Sequence, residues 1–254
     1  MIPKIIHYCW FGHSQLPEIV QKCIESWRVK MPDYEIKRWD ETNIDVEISP
    51  FMREAYALGK YAYVSDYARY KILKDNGGVF LDTDVELLKP FSHLLDADVV
   101  LGINKHVKRN VVFVNPGVFM AATRGNRLMS EVLSFYDSVH FIDDEGVPVY
   151  KYSSPRVLTS ILIKNHGFTV KDVTQTLQGG IKVMSSDYFD PVNPRRLFGD
   201  KLEMTENTVA IHHGAASWVP MRKKIMQSLS IISRNILGDG LIDRLRGKEK
   251  MYYE

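Results

Sequence analysis

The sequence predicts an α/β fold, in which short buried strands alternate with helices around one open sheet. Two observations indicate it: apolar runs of strand length recur along the chain, and segments with helical hydrophobic spacing lie between them. The 254 residues are 45% hydrophobic and 25% charged, an ordinary globular composition that allows a substantial core. The chain has no internal repeat and no low-complexity linker. We therefore expect one α/β domain over residues 1–219 and a separate tail over residues 220–254.

Local patterns predict the elements in chain order. Predicted strands cover residues 2–10, 34–39, 79–81, 97–102, 111–114, 118–121, 182–184 and 208–212. The first predicted helix begins at Pro17, and later ones cover residues 51–58, 65–76, 126–139 and 155–165. Ser65 is a suitable N-cap for the third helix, and Gly77-Gly78 ends it.

Charge and cysteine content exclude several classes of protein. Thirty-three basic and 31 acidic residues leave a net charge of +2, which argues against a protein that coats nucleic acid. Cys9 and Cys23 are too few for a disulfide scaffold or a four-cysteine zinc site, so we expect both to be reduced and packed. The N-terminus lacks the pattern of a signal peptide, and no apolar run reaches the length of a membrane span. The expected location is the cytoplasm.

The tail differs from the rest of the chain. Residues 221–254 hold eight basic and four acidic side chains, and Ile225, Leu229, Ile232 and Ile236 share one helical stripe. Two interpretations stay open. The helix either packs on the core or lies on the inner face of the plasma membrane, where residues 221–250 contact anionic lipid as a peripheral anchor.

Asp82-Thr83-Asp84 is the strongest local indication of chemistry. It follows a buried strand, at the strand's carboxyl end, where open α/β sheets bind ligands. Paired carboxylates are hard oxygen ligands for Mg²⁺ or Mn²⁺, and such ions commonly also hold substrate phosphates. An EF-hand is excluded because Leu87 stands where that loop requires glycine. A plain solvated turn is the alternative.

The preceding helix is predicted to bring two more polar groups to this turn. From Asp66 to its end the helix descends about 15 Å. Gly77-Gly78 reverses the chain, and the strand to Asp82 climbs about 13 Å. Asp66 and Arg69, which share a helix face, should therefore lie beside the carboxylates, where Arg69 can bind a phosphate or sugar hydroxyls. The alternative is a surface ion pair worth a few tenths of a kcal/mol.

Four blocks of the chain resemble glycosyltransferase family 32, the DXD-containing sugar transferases that include bacterial capsule and lipopolysaccharide enzymes. The blocks read IPKIIHYCWFG, YAYVSDYAR, GGVFLDTD and AIHHGAASW, and they span residues 2–218. The resemblance implies the GT-A fold, a Rossmann-like mixed sheet that binds a nucleotide-sugar, joined to an acceptor-binding half. It also implies sugar transfer with retention at the anomeric carbon, usually with Mn²⁺.

The resemblance implies roles for the residues around the donor. Asp84 would be a direct metal ligand and Asp82 would reach the metal or the ribose, with Thr83 between them in the nucleotide site. Asp66 and Arg69 would hold the donor sugar hydroxyls and the diphosphate side.

Two aromatic positions flank this set. Trp10 is placed to stack on the nucleotide base, the alternative being a buried core tryptophan. His7, in the same block, is expected to face the core.

The last block implies a third metal ligand and a lid. Only one of His212 and His213 can face the site, because side chains alternate along a strand. We favour His212, since imidazole suits Mn²⁺ and the first histidine of the block is the metal-proximal one. Ser217 and Trp218 would belong to a loop that closes over the diphosphate. Gly214 stands where the family often carries an aromatic residue.

Two further blocks have weaker assignments. Asn115 resembles the Asn-x-Gly block near the reacting face of the sugar, the alternative being a turn residue before Pro116. Ser153-Ser154-Pro155 lies where relatives often show Gly-Pro, and N-capping of the following helix is the favoured interpretation.

Together these features predict a retaining, metal-dependent hexosyltransferase of surface polysaccharide synthesis. The donor would be a UDP-sugar such as UDP-galactose rather than GDP-mannose, and the acceptor a glycan or lipid-linked glycan. The metal motif would assist departure of the diphosphate, while Asn115, Asp66 and Arg69 act around the sugar. One alternative is a haloacid-dehalogenase-like phosphatase using Asp82, although this chain lacks the Gly-Asp-x-x-x-Asp motif expected downstream in that class. The other alternative is a non-enzymatic scaffold that uses the basic tail.

Overall fold

The computed structural model describes residues 1–106, 111–191 and 203–214, all within one compact unit, Met1–Gly214. The predicted tail and the positions of Ser217 and Trp218 lie outside the described residues. Among the residues described, no helix is both long enough and apolar enough to cross a membrane.

A mixed sheet of eight strands forms the centre, in the order β2-β1-β3-β7-β5-β9-β8, with β6 paired to β5. The strand bounds are β1 Ile5–Cys9, β2 Glu35–Trp39, β3 Gly78–Phe80, β5 Val99–His106, β6 Val111–Val114, β7 Met120–Ala122, β8 Gln175–Leu177 and β9 Ile181–Met184. The β1 strand is parallel to both of its neighbours, β2 and β3, whereas β7 is antiparallel to β3 and β5. A separate antiparallel pair joins β4 (Val85–Leu87) to β10 (Ala210–His212).

Helices cover the sheet on both faces. Their bounds are α1 Glu18–Lys30, α2 Pro50–Ala57, α3 Tyr61–Asn76, α4 Arg127–Asp137, α5 Ser154–His166 and the short α6 Ser186–Phe189. Val79 and Phe80, which are adjacent on β3, enter different hydrophobic cores because strand side chains alternate. One core contains the apolar faces of α2, α3, α4 and α5, and the other contains that of α1. The predicted α/β fold, a mixed sheet flanked by helices, is confirmed.

The third helix starts earlier than predicted. The expected N-cap at Ser65 was wrong, since α3 begins at Tyr61 and Ser65 lies within it. The aromatic residues Tyr61 and Tyr63 pack against the larger of the two cores, the one that contains the apolar faces of α2 to α5. This tertiary packing extends the helix by one turn. The predicted end was right: Gly77 and Gly78 have φ of +68° and +105°, values that favour glycine.

Candidate active site

The geometry that positions the site is the hairpin of α3 and β3. The helix runs down to Gly77, the strand returns beside it, and Asp82 follows directly after the buried Leu81. As a result, Arg69 Nη2 lies 3.2 Å from Asp66 Oδ1 and 3.3 Å from Asp82 Oδ1. The structure thus brings Asp66, Arg69 and Asp82 together, as the helix and strand lengths predict. Arg69 is only 4% exposed and Asp66 only 8% exposed, so the surface that they offer to a ligand is small.

The pairing of β10 with β4 assembles a second cluster of polar side chains. Asp82, Asp84 and His212 each offer one potential ligand atom, and these atoms lie within 4.8 Å of one another. His212 Nε2 lies 3.2 Å from Asp84 Oδ1. The next residue points elsewhere, because His213 Nε2 lies 2.8 Å from Glu86 Oε2. Of the two histidines, His212 is the one beside the paired carboxylates, while its role as a metal ligand stays a prediction.

The donor set of this cluster suits Mn²⁺ or Mg²⁺. Two carboxylates supply hard oxygen atoms and His212 supplies an imidazole nitrogen, a combination that Mn²⁺ accepts. Burial alone would lower the pKa of His212, but the hydrogen bond and the charge of Asp84 outweigh it and raise the pKa to about 9. The cluster therefore attracts a positive charge, and a bound cation would take the place of the imidazolium proton. The residues present fit the predicted metal.

Asp66 is held from two helices at once. Its Oδ1 faces Arg69, and its Oδ2 accepts a 3.0 Å hydrogen bond from the backbone N–H of Ser154, the first residue of α5. Burial raises the pKa of Asp66 to about 6, against the opposing effects of Arg69 and the Ser154 N–H. An unpaired buried carboxylate would cost several kcal/mol, so the guanidinium and the positive end of α5 keep it in place. The sequence predicted the first partner and missed the second.

The start of α5 differs from the prediction. Ser153 occupies the N-cap position but makes no side-chain capping bond, so the N-capping interpretation was wrong. Pro155 removes the N–H of the second helical residue, one of the two that a capping oxygen would bind, while Asp66 accepts from the N–H of the first, Ser154. Ser154 is fully buried and its Oγ lies 2.6 Å from Tyr70 Oη.

The turn before β7 lies against Asp82. Asn115 Oδ1 accepts a 3.0 Å hydrogen bond from Gly117 N, which makes Asn115 a turn residue in this structure; its role at the sugar stays a prediction. Gly117 O accepts a hydrogen bond from Asp82 N at 2.9 Å. A Cβ at Gly117 would lie only 2.0 Å from Asp82 Oδ2. Glycine is needed here for close approach, a role that the Asn-Pro-Gly sequence signals but that we did not predict.

The remaining predicted residues lie around this edge of the sheet. Trp10 is half-buried, packs against the smaller core and donates from Nε1 to Ser14 O at 2.8 Å; base stacking stays a prediction. His7 is fully buried, which confirms its predicted orientation, and burial lowers its pKa to about 4. Thr83 is half-buried between the two carboxylates.

A fourth carboxylate near the cluster was missed from the sequence. Asp190 follows α6 and is 3% exposed. It accepts a hydrogen bond from Asn104 Nδ2, and its charge contributes to the raised pKa of His212. No local pattern links Asp190 to β10, because α6 is only four residues long.

Both cysteines are free, as predicted. Cys23 is buried and Cys9 is half-buried on β1. Burial raises the pKa of the Cys9 thiol to about 12, so the thiol behind Arg69 stays protonated.

Two curated relatives are about one-third identical to this chain over an aligned segment of about 100 residues. An uncharacterised glycosyltransferase of Acanthamoeba polyphaga mimivirus is 34% identical over 101 residues, which covers 37% of this chain and 40% of the relative. Inositol phosphoceramide mannosyltransferase 1 of Schizosaccharomyces pombe is 33% identical over 105 residues, covering 37% of this chain and 31% of the relative. The chain thus spans less than half the length of these relatives.

Solved structures of low identity resemble the chain over most of its length. The galactosyltransferase LgtC, in complex with donor and acceptor sugar analogues, matches 88% of this chain and 94% of its own at 14% identity, with a TM-score of 0.47. A glycosyltransferase involved in glycosylation of the major capsid of PBCV-1 matches 90% of this chain and 100% of its own at 11% identity, also with a TM-score of 0.47.

The family comparison covers more than half of the 254 residues. A family model described as "Capsular polysaccharide synthesis protein" matches residues 1–170, a range that contains β1, α3, β3 and the paired carboxylates. The resemblance to bacterial capsule sugar transferases that the sequence blocks indicated is confirmed at the level of the family. The chain belongs to the capsular polysaccharide synthesis protein family.

Proposed function

We propose that this protein is a metal-dependent, retaining glycosyltransferase of the GT-A type. It would move a hexose from a UDP-sugar, such as UDP-galactose, to a hydroxyl of a glycan or lipid-linked glycan in capsule or lipopolysaccharide synthesis. The observation that carries the proposal is the cluster of Asp82, Asp84 and His212 beside Arg69, at the carboxyl edge of a parallel strand pair. Family membership and the glycosyltransferase names of the relatives support it.

The cluster has the charge that such a reaction requires. Asp82, Asp84 and His212 would hold Mn²⁺ or Mg²⁺, and the ion when bound supplies Lewis-acid stabilisation of a departing diphosphate. Arg69 contributes a fixed positive charge: burial opposes its protonated form, but Asp82 and Asp66 outweigh burial and raise its pKa. Because Arg69 also binds Asp82, it keeps one carboxylate of the cluster in position.

Retention follows if the acceptor attacks from the face that the diphosphate leaves. The bond from the anomeric carbon to the phosphate oxygen breaks, and a bond to the acceptor oxygen forms on the same face. The acceptor proton passes to the leaving phosphate oxygen, so no enzymatic nucleophile is required. In this proposal Asn115 steadies the sugar, Trp10 stacks on the base, and Ser217 and Trp218 belong to a lid outside the described residues.

The two alternatives have less support. The haloacid-dehalogenase-like phosphatase gains none from the comparisons, and we do not retain it. A scaffold that acts through the tail would leave the polar cluster without a use. The cytoplasmic location and the contact of residues 221–250 with the inner membrane face remain parts of the proposal.

A thermal-shift experiment with a matched pair of variants tests the donor and metal assignment. Purified protein is heated with each nucleotide-sugar, with and without Mn²⁺, in the wild type and in His212→Ala and His213→Ala. The true donor with Mn²⁺ should stabilise the wild type, by about 2.7 kcal/mol at a hundredfold excess over the dissociation constant. His213→Ala should respond equally, because His213 binds Glu86 away from the cluster. His212→Ala should lose the response to Mn²⁺.

Two results would contradict the proposal. If His212→Ala responds to Mn²⁺ and the donor as the wild type does, the cluster of Asp82, Asp84 and His212 is not the metal site. NMR of the anomeric proton of the product tests the stereochemistry separately, and an inverted product would refute the front-face mechanism.

A further inference from the structure

Aromatic side chains from the start of α3 and from residues 139–153 pack together, about one helical turn from Asp66 on α3. The ring of Tyr63 on α3 lies 4.8 Å from that of the buried Phe141 and 5.8 Å from that of Tyr150. Tyr63 Oη also donates a 3.4 Å hydrogen bond to the carbonyl of Tyr150. Tyr150 itself is 52% exposed. Its ring therefore faces solvent while Tyr63, backed by Phe141, supports it from behind.

The segment that carries Tyr150 is anchored. The carboxylate of Glu54 on α2 accepts hydrogen bonds from the backbone N–H groups of Phe141 and Ile142, at 2.8 and 3.3 Å. At the other end of the segment, Tyr136 Oη donates to the carbonyl of Tyr152 at 3.1 Å. Because the backbone is fixed at both ends, the exposed ring is preorganised, and a ligand would lose little binding energy in ordering it.

This aromatic surface adjoins the site through Asp66. Tyr63 precedes Asp66 by three residues on α3, so the two side chains share a helix face, with about 5–6 Å between their Cβ atoms. Tyr150 precedes Ser154 by four residues, and the N–H of Ser154 binds Asp66. Tyr63 therefore lies about one helical turn from the buried carboxylate, and Tyr150 contacts Tyr63 and comes four residues before the N–H that binds that carboxylate.

We propose that Tyr150, supported by Tyr63 and Phe141, is an acceptor subsite that stacks on the C–H face of a pyranose ring. This inference rests on the proposed function, to which it adds the place where the acceptor binds. A pyranose has an apolar face of C–H groups and a rim of hydroxyls, and an aromatic ring attracts polarised C–H groups through its negative face. An exposed, fixed tyrosine ring close to polar side chains provides that combination. Small-molecule sites in general combine aromatic side chains with a few polar groups in the same way.

Saturation-transfer-difference NMR tests the subsite without turnover. The probes are the methyl α- and β-pyranosides of glucose, galactose, mannose and N-acetylglucosamine, each titrated with and without UDP and Mn²⁺. The proteins are the wild type, Tyr150→Ala, Tyr150→Phe and Ile163→Ala, the last a matched control that removes a 46% exposed apolar side chain from α5. Ring C–H protons of at least one glycoside should be saturated by the wild type, Tyr150→Phe and Ile163→Ala. Tyr150→Ala should bind that glycoside about tenfold more weakly.

Two outcomes overturn the subsite: no glycoside of the panel is saturated by the wild type, or Tyr150→Ala binds as tightly as the wild type does. The proposed function fails separately. If the wild type binds a glycoside through Tyr150 but no nucleotide-sugar stabilises it, the subsite stands and the donor assignment falls. If a donor is bound and transferred while Tyr150→Ala keeps the glycoside affinity of the wild type, the function stands and the subsite falls.

Discussion

Replacement of Gly117 by alanine should displace Asp82 and with it the metal cluster. The added Cβ would lie 2.0 Å from Asp82 Oδ2, 2.7 Å from Asp82 Cγ and 3.1 Å from Arg69 Nη1. Non-bonded heavy atoms settle at about 3.5 Å, so the carboxylate oxygen must retreat by more than about 1 Å. The Gly117 backbone cannot easily move instead, because its N–H binds Asn115 Oδ1 and its carbonyl accepts from Asp82 N.

The expected result is a variant that folds but binds metal poorly. Gly117 is outside the left-handed region, so alanine meets no backbone strain there and the cost is overpacking, about 1–3 kcal/mol of unfolding free energy. Movement of Asp82 away from Asp84 and His212 should weaken Mn²⁺ binding by about 10–100-fold, the range typical of a lost supporting interaction. Isothermal titration with Mn²⁺ and urea unfolding measure the two effects.

Two controls isolate the cause. Gly146→Ala places a methyl group in open space at φ +78°, so it should cost about 1 kcal/mol of backbone strain and leave Mn²⁺ affinity unchanged. In an Asp82→Ala background the contacts at 2.0 and 2.7 Å are absent and the 3.1 Å approach to Arg69 Nη1 is left, so Gly117→Ala should cost less stability there than in the wild type. The reasoning is refuted if Gly117→Ala keeps the Mn²⁺ affinity of the wild type, or if its stability cost is equal in both backgrounds.

Two further predictions concern buried groups behind the site. The native pKa of His7, about 4, is below its ordinary value of 6.5, so on acidification the unfolded chain takes up a proton before the native one does. The protonation of His7 should therefore lower the free energy of unfolding by about 3 kcal/mol between pH 7 and about pH 4. In His7→Gln, urea unfolding measured over the same pH range should lack this contribution. Ser154→Ala should cost about 1–3 kcal/mol because it leaves the buried Tyr70 hydroxyl without this partner, whereas Ser153→Ala should cost less than about 0.5 kcal/mol in the same assay. An acid-dependent loss in His7→Gln as large as in the wild type, or equal costs for the two serine variants, would contradict these assignments.

Local chain geometry was sufficient to predict one half of the site. The meeting of Arg69 with Asp82 depends only on where α3 ends, how long β3 is, and the reversal at Gly77-Gly78. For that reason the prediction survived the wrong helix start at Ser65: the descent is counted from the glycine end, and extra residues at the other end do not move Arg69. The family blocks added the choice of His212, which β10 places beside Asp84.

The other half depends on contacts between segments distant in sequence. β4 and β10 have three residues each, too few for a periodic pattern, yet their pairing decides that His213 meets Glu86. Asp190 reaches the same region through a four-residue helix. No local pattern can reveal that the N–H of Ser154 binds a carboxylate 88 residues earlier.

Asp66 joins the proposed donor and acceptor sides, and this limits what its replacement can demonstrate. One oxygen holds Arg69, which holds Asp82; the other holds the first N–H of α5, four residues after Tyr150. An Asp66→Ala variant would leave Arg69 with one carboxylate partner fewer and the start of α5 without this acceptor, so it should lose metal and acceptor binding together. Loss of activity in that variant would therefore not show that Asp66 touches the sugar. The roles separate only at the ends of the chain of contacts: Gly117→Ala acts chiefly on Asp82, and Tyr150→Ala removes the exposed ring.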